Sequence, residues 1–111
     1  MNKVMALDLA VGHPARFKVR EEKARAAIDG ALAGTLLGYP AYFAGLTRAL
    51  THSTITVFVE VPGSTRLPGE AELIQALGAR LKITPKFGQP LEWTIDGWEA
   101  WHQKTRILEV P

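Results

Sequence analysis

The chain has 111 residues, of which 47% are hydrophobic and 22% charged, and its formal net charge is +2. This length suits one globular domain spanning residues 1–111, and the composition excludes an intrinsically disordered chain. The absence of cysteine excludes disulfides, thiolate metal sites and cysteine nucleophiles, and it is typical of a cytoplasmic protein. The small net charge does not by itself indicate a nucleic-acid-binding protein.

The N-terminal segment predicts a buried strand, a turn and a basic stretch. Residues 4–11 alternate between two sets of mostly apolar side chains, which is the pattern of a largely buried strand. After the turn at Gly12-His13-Pro14, residues 16–20 fit either a short strand or the lead-in to a helix. Arg16, Lys18 and Arg20 would share one face of such a strand, where they are candidate contacts for nucleic acid. The alternative is a solvated edge strand, whose cations protect against aggregation.

The stretch over residues 30–47 carries no charged residue and predicts the centre of the fold. Apolar residues recur at helical spacing before and after Gly38-Tyr39-Pro40, so we predict a helix, a break and a second helix over residues 20–51. Gly30, Gly34 and Gly38 would form a ridge where another backbone packs closely, because interior glycines otherwise weaken a helix. We interpret this ridge as a homodimer interface. The glycines and the proline of the uncharged stretch argue against a membrane span.

Residues 53–61 alternate as a second strand, and helical spacing resumes over residues 70–81. The intervening loop runs from a strand end to a helix start, where backbone N–H groups attract anions. Ser64, Thr65 and Arg66 are therefore candidate anion-binding residues. The loop matches neither a Walker motif nor a dinucleotide fingerprint, so an ordinary connection is the alternative.

The C-terminal segment fits two structures. Asp96-Gly97 between alternating apolar residues predicts a hairpin that pairs Leu91 with His102, whereas Asp96 and Glu99 also match a helix capping box. The aromatic spacing favours the hairpin, with a bulge or break over residues 103–106. Trp101 would stand on its polar face, where it could serve as a stacking platform or an interface anchor, and the alternative is packing against a second layer of the same fold.

The predicted fold is an α/β domain at the boundary with α+β, a two-layer sandwich with a mixed sheet in β-α(α)-β-α-β-β order. Each strand–helix–strand unit predicts a right-handed crossover and a parallel part of the sheet, and the hairpin adds an antiparallel edge. This element order resembles that of small RNA- and DNA-binding modules such as Alba-like domains, and that of truncated thioredoxin-like folds. The resemblance lies in element order alone, and it does not fix a function.

A pocket between the helix pair and the hairpin is predicted to bind a ligand through Tyr39, Tyr42, Trp98 and His102. No catalytic residue stands out, and His102 is the candidate general base, with Asp8 or Glu60 as its orienting group. The sequence contains no metal-ligand spacing, nucleophile elbow or cofactor motif, so neither metal nor cofactor is predicted.

We therefore expect a small soluble binding protein without catalytic activity, which forms a homodimer and does not enter the membrane. Two alternatives remain open: a nucleic-acid-binding module using residues 16–25, and a small enzyme or ligand carrier using the predicted pocket. Besides a second copy of the chain, the possible partners are nucleic acid and a small anionic ligand.

Overall fold

The computed structural model describes residues 2–12, 21–49, 52–81, 91–92 and 99–110, which form two helices and six strands. In chain order these elements are β1 (Asn2–Gly12), α1 (Glu21–Leu32), β2 (Thr35–Leu36), β3 (Tyr39–Arg48), β4 (His52–Val61), α2 (Glu70–Leu81), β5 (Leu91–Glu92) and β6 (Glu99–Val110). The strands form one sheet in the order β2-β3-β4-β1-β6-β5, and every neighbouring pair is antiparallel. The fold is therefore mixed α+β with an antiparallel sheet.

The connection between β1 and β3 explains why the predicted parallel pairing is wrong. β1 and β3 run in the same direction, but β4 lies between them and is antiparallel to both. In the same way β1 lies between β4, which precedes α2 in the chain, and β6, which follows α2 and the short β5. These two split β-α-β units give the arrangement called ferredoxin-like. The predicted mixed sheet is wrong, and the resemblance in element order to Alba-like and truncated thioredoxin-like folds does not hold.

The predictions for β1, β4 and α2 are confirmed. β1 lies between β4 and β6, and its residues 4–10 are all buried, as the apolar character of the segment predicts. β4 alternates between buried and half-buried residues over 53–61. α2 covers the predicted range and buries the apolar side of its helical pattern.

The uncharged stretch is a helix end followed by a hairpin, so the second predicted helix is wrong. α1 ends at Leu32, and Ala33 and Gly34 then turn the chain with φ angles of 52° and 85°. β2 and β3 follow, and β3 pairs with β4 along the segment that helical spacing assigned to a helix. The possible strand over residues 16–20 lies outside the described residues.

A β-bulge in β3 explains why its sequence imitates a helix. Phe43 pairs with Val57 and Gly45 with Thr56, so Ala44 is an extra residue in β3. The bulge shifts the alternation by one residue, and Leu46 therefore joins Phe43 on the side of the core, opposite Ile55. The spacing between these apolar residues becomes three instead of two, which is helical spacing.

The predicted glycine ridge does not exist. Gly30 lies in α1, whereas Gly34 and Gly38 lie in turns with positive φ angles. All three glycines are exposed, and a Cβ placed on any of them would have no neighbouring heavy atom within 4 Å among the described residues. The three glycines therefore do not share one helix face, and association of the chain with a second copy stays a prediction.

The C-terminal segment is a strand, as the hairpin interpretation requires, since β6 covers residues 99–110. Asp8 pairs with Lys104 and Leu9 with His102, so the predicted bulge is confirmed at Gln103. The predicted register is wrong, because Leu91 pairs with Ala100 and not with His102. Asp96-Gly97 and the predicted turn lie outside the described residues.

Both helices pack on one face of the sheet. The core combines apolar residues of α1 and α2 with residues of one side of β1, β3 and β4, including Ile28, Leu73, Leu7, Phe43 and Val57. Ser53 is also buried, and its hydroxyl has no hydrogen-bond partner among the described residues. Within the described part of the chain, neither helix is long and apolar enough to cross a membrane.

The other face of the sheet carries a buried carboxylate. Asp8 is 2% exposed and accepts two hydrogen bonds from Arg106, from Nε at 2.8 Å and from Nη2 at 3.1 Å. The hydroxyl of Thr56 donates a third hydrogen bond at 2.6 Å. These bonds compensate the burial of the charge and join β1 to both of its neighbours.

Candidate functional site

A cleft of about 560 Å³ opens between the β2–β3 turn and the connection from β4 to α2. This volume lies in the range of small-molecule sites. Its walls come from two segments that are distant in sequence: Leu37 and Tyr39 on one side, and Arg66, Leu67, Pro68, Gly69 and Glu72 on the other.

The β2–β3 turn holds an apolar residue in a strained backbone conformation at the edge of the cleft. Leu36 pairs with Tyr39, so Leu37 and Gly38 form a two-residue hairpin turn. Their φ angles are 53° and 82°, and a positive φ at both positions is typical of a type I′ turn. Glycine adopts this conformation freely, whereas it costs Leu37 about 1–2 kcal/mol. Leu37 is nevertheless 46% exposed, so burial does not explain why a leucine occupies this position.

The floor of the cleft belongs to the core. Tyr39 and Leu67 both line the cleft and both pack, half-buried, against the core residues. Pro68 lies between Leu67 and the start of α2, and its fixed φ angle limits the motion of this wall. The cleft therefore offers a preformed surface of one aromatic ring and several aliphatic groups.

Among the described residues, the charged side chains that line the cleft are those of Arg66 and Glu72. Arg66 is exposed on the loop before α2. Glu72 lies in the first turn of α2, where its carboxylate is near Gly69: a Cβ on Gly69 would be 3.7 Å from Oε1 of Glu72. A carboxylate at this position already satisfies the positive end of the helix dipole. A bound anion would therefore interact mainly with the guanidinium of Arg66.

Only part of the predicted anion group lies at the cleft. Thr65 N–H donates a 3.0 Å hydrogen bond to the carbonyl of Pro62, which closes a turn. Ser64 and Thr65 are exposed in this turn, and Arg66 alone of the three lines the cleft. The cations Arg16, Lys18 and Arg20 lie outside the described residues. Later in the chain, the guanidinium of Arg25 in α1 lies 5.2 Å from the ring centre of Phe43.

The structure does not bring the predicted pocket residues together. Tyr39 lines the cleft, but Tyr42 contacts Phe58 and Glu60 on the other face of the sheet. His102 lies in β6, where it pairs with Leu9 of β1. β4 and β1 lie between β3 and β6, so the backbones of β3 and β6 are about 14 Å apart at the usual strand spacing. Trp98 lies outside the described residues. The backbone of Trp101 pairs with that of Ala10, but its side chain is outside the described part as well.

The two carboxylates proposed to orient His102 have other hydrogen-bond partners. Asp8 is bound to Arg106 and Thr56, and Glu60 accepts a 3.4 Å hydrogen bond from the hydroxyl of Tyr42. The side chain of His102 lies outside the described residues, so its role as a general base stays a prediction. Among the described residues, no group of three or more His, Asp or Glu side chains is placed to hold a metal ion.

No family model, curated protein or solved structure matches this chain. The function is therefore argued from the site alone. Sequence reasoning did not single out Leu37 or Glu72 as site residues, and both fall inside the ranges predicted as helical, 20–51 and 70–81. Leu37-Gly38 is a weaker signal for a hairpin turn than Asn-Gly or Asp-Gly. Nothing local in the sequence indicates that residues 37–39 lie close to residues 66–72.

Proposed function

We propose that this protein binds a small organic anion in the cleft between the β2–β3 turn and the β4–α2 connection, without catalysing a reaction. The observation that carries the proposal is the strained Leu37, which is held half-exposed at the edge of the cleft. Strained backbone that no burial explains is concentrated at functional sites.

The lining of the cleft indicates the chemistry of the ligand. Tyr39, Leu67 and Pro68 offer an apolar surface, and Arg66 can donate paired hydrogen bonds to a carboxylate or phosphate. Glu72 would repel a second negative charge and accept a hydrogen bond from a donor group. We therefore expect a ligand with one anionic group and an apolar body that also carries a hydroxyl or amine.

The proposal is tested by NMR titration of the isotope-labelled full chain with aryl carboxylates, aliphatic hydroxy acids and phosphate monoesters. We expect saturable amide shifts confined to residues 37–39 and 66–72, because these residues line the cleft. Arg66→Gln should weaken binding by about tenfold or more, since it removes a charge-assisted hydrogen bond.

Arg48→Gln is the matched control, because Arg48 is also exposed but lies at the far end of β3, about 30 Å along the strand from Tyr39. It should leave binding unchanged. Weak binding that Arg66→Gln and Arg48→Gln reduce equally would show only general charge attraction and would overturn the proposal. The absence of saturable shifts at the cleft with every compound class would overturn it as well.

A further inference from the structure

Arg66 and Glu72 line the cleft with opposite charges, and both charges are available to a ligand. Within the described part of the chain, neither side chain forms a hydrogen bond or an ion pair, with the other or with a third residue. Both residues are exposed. A ligand that carries a carboxylate and an ammonium would therefore find a partner for each of its charges.

The start of α2 holds the carboxylate of Glu72 in place. The N–H of Leu73 donates a 3.1 Å hydrogen bond to the carbonyl of Gly69, which closes the first turn of the helix. Oε1 of Glu72 lies 3.7 Å from the position of a Cβ on Gly69, so this side chain folds back along that turn, where the helix dipole attracts a carboxylate. Arg66 lies on the preceding loop, whose motion Pro68 limits. The two charges are therefore presented to the cleft separately.

The apolar part of the cleft adjoins these charges. Tyr39 and Leu67 line the cleft and are held in place by their packing against the core. Leu37 also lines the cleft, and 46% of it is exposed to water. An apolar group bound here would cover the exposed part of Leu37, and removing that area from water favours binding. The cleft thus combines an apolar surface with one cation and one anion.

We propose that the ligand of the cleft is a free amino acid with an apolar side chain, an inference that rests on the proposed function. The guanidinium of Arg66 donates paired hydrogen bonds to the carboxylate of the amino acid, and the carboxylate of Glu72 accepts hydrogen bonds from its ammonium group. The apolar side chain lies on Leu37, Tyr39 and Leu67. A free amino acid carries both charged groups on one carbon, whereas the terminus of a peptide carries only one of them.

The charges of the cleft distinguish an amino acid from simpler ligands. An apolar carboxylate would pair with Arg66, but it would also bring its negative charge near Glu72. An apolar amine would pair with Glu72 and bring its positive charge near Arg66. An amino acid offers each residue the opposite charge and has no net charge itself. It should therefore bind more tightly than either of the simpler compounds.

The inference is tested by NMR titration of the full chain with a matched series of compounds that share a phenyl ring. The series is L-phenylalanine, phenylpropanoate, which lacks the ammonium group, and phenylethylamine, which lacks the carboxylate. L-phenylalanine should bind about tenfold or more tightly than each of the others, because each of them lacks one charge-assisted hydrogen bond. Glu72→Gln should weaken the binding of L-phenylalanine by about tenfold and should not weaken that of phenylpropanoate.

Glu70→Gln is the matched control, because Glu70 also lies in the first turn of α2 but does not line the cleft. It should leave the preference for L-phenylalanine unchanged, and equal losses in Glu70→Gln and Glu72→Gln would overturn the inference.

The failure of this inference is distinct from that of the proposed function. Phenylpropanoate that binds at the cleft as tightly as L-phenylalanine would overturn the amino acid as the ligand and would support the proposed binding of an organic anion. The absence of saturable shifts with all three phenyl compounds would also overturn the amino acid. The aliphatic hydroxy acids and phosphate monoesters would then decide the proposed function.

Discussion

The side chain of Asp29 in α1 accepts a 2.8 Å hydrogen bond from the backbone N–H of Phe43 in β3. Phe43 directly precedes the bulge at Ala44, and its N–H points away from β4. Two residues earlier, the N–H of Ala41 donates to the carbonyl of Gly34 at 2.9 Å. α1 and the turn after it therefore supply hydrogen-bond acceptors for these two N–H groups on the outer edge of β3. Unpaired backbone groups on a strand edge would otherwise be free to pair with another chain.

Asp29→Ala should lower the free energy of unfolding by about 1–2 kcal/mol, because it leaves the N–H of Phe43 without this acceptor. Urea denaturation measures the change. Asp29→Asn is the matched control, since its side-chain oxygen can still accept the bond. Asp29→Asn also removes a negative charge from the last turn of α1, where the helix dipole disfavours it, and this partly offsets the weaker hydrogen bond. The free energy of unfolding should therefore change by no more than about 0.5 kcal/mol. Equal losses in both variants would contradict the assigned role of the hydrogen bond.

The sequence predicts the elements whose periodicity is undisturbed. β4 and α2 show regular periods of two and of about 3.6 residues, and both were located correctly. The disturbed period of β6 was also interpreted correctly as a bulge, because Lys104 and Arg106 interrupt its apolar face. β3 was misassigned because its bulge produces helical spacing over Phe43 and Leu46, and only pairing with β4 distinguishes the two structures.

The candidate site was harder to predict than the fold, for a related physical reason. Arg66 and Tyr39 were singled out, but in separate sites, because the sequence carries no signal for the contact between their segments. The hairpin turn at Leu37 creates that contact, and a leucine with positive φ is a conformation that local propensity disfavours. The cleft thus depends on strain that the rest of the fold imposes.

The glycines of the central stretch should respond to alanine substitution with opposite signs. Gly30 lies in a helix and has space for a Cβ, so Gly30→Ala should stabilise the protein by about 0.5–1 kcal/mol. Gly38 has a φ angle of 82°, so Gly38→Ala should destabilise it by about 1–2 kcal/mol. Thermal and urea unfolding of the two variants measure both changes. Destabilisation by Gly30→Ala would instead indicate that a second backbone packs on this residue.

The Asp8–Arg106 pair should show strong energetic coupling. Arg106→Met leaves the buried carboxylate of Asp8 without its cation, which should cost about 2 kcal/mol of stability because Arg106 is partly exposed. In the double variant Asp8→Asn, Arg106→Met, part of this loss should be recovered, giving a coupling energy of about 1 kcal/mol or more. A double-mutant cycle by urea denaturation measures the coupling. Additive effects would show that the two residues stabilise the sheet independently.

Tyr42 should titrate at a higher pH than an ordinary tyrosine. Burial, the negative charge of Glu60 and the hydrogen bond to its carboxylate all raise the pKa of Tyr42 above its ordinary value of 10.0. Glu60→Gln removes the charge and should lower this pKa, while burial keeps it above that of free tyrosine. Ultraviolet titration of the phenol in a Tyr39→Phe background isolates the signal of Tyr42.

The same shift sets the direction of the pH dependence of stability. The folded chain favours the neutral phenol, so this contribution is fully present below pH 10.0 and is lost as the pH rises through the pKa of the folded state. Unfolding free energies measured across this range should therefore fall more steeply in the native chain than in Tyr42→Phe. Parallel curves, together with a Tyr42 titration that Glu60→Gln leaves unchanged, would show that Glu60 does not act on the phenol in solution.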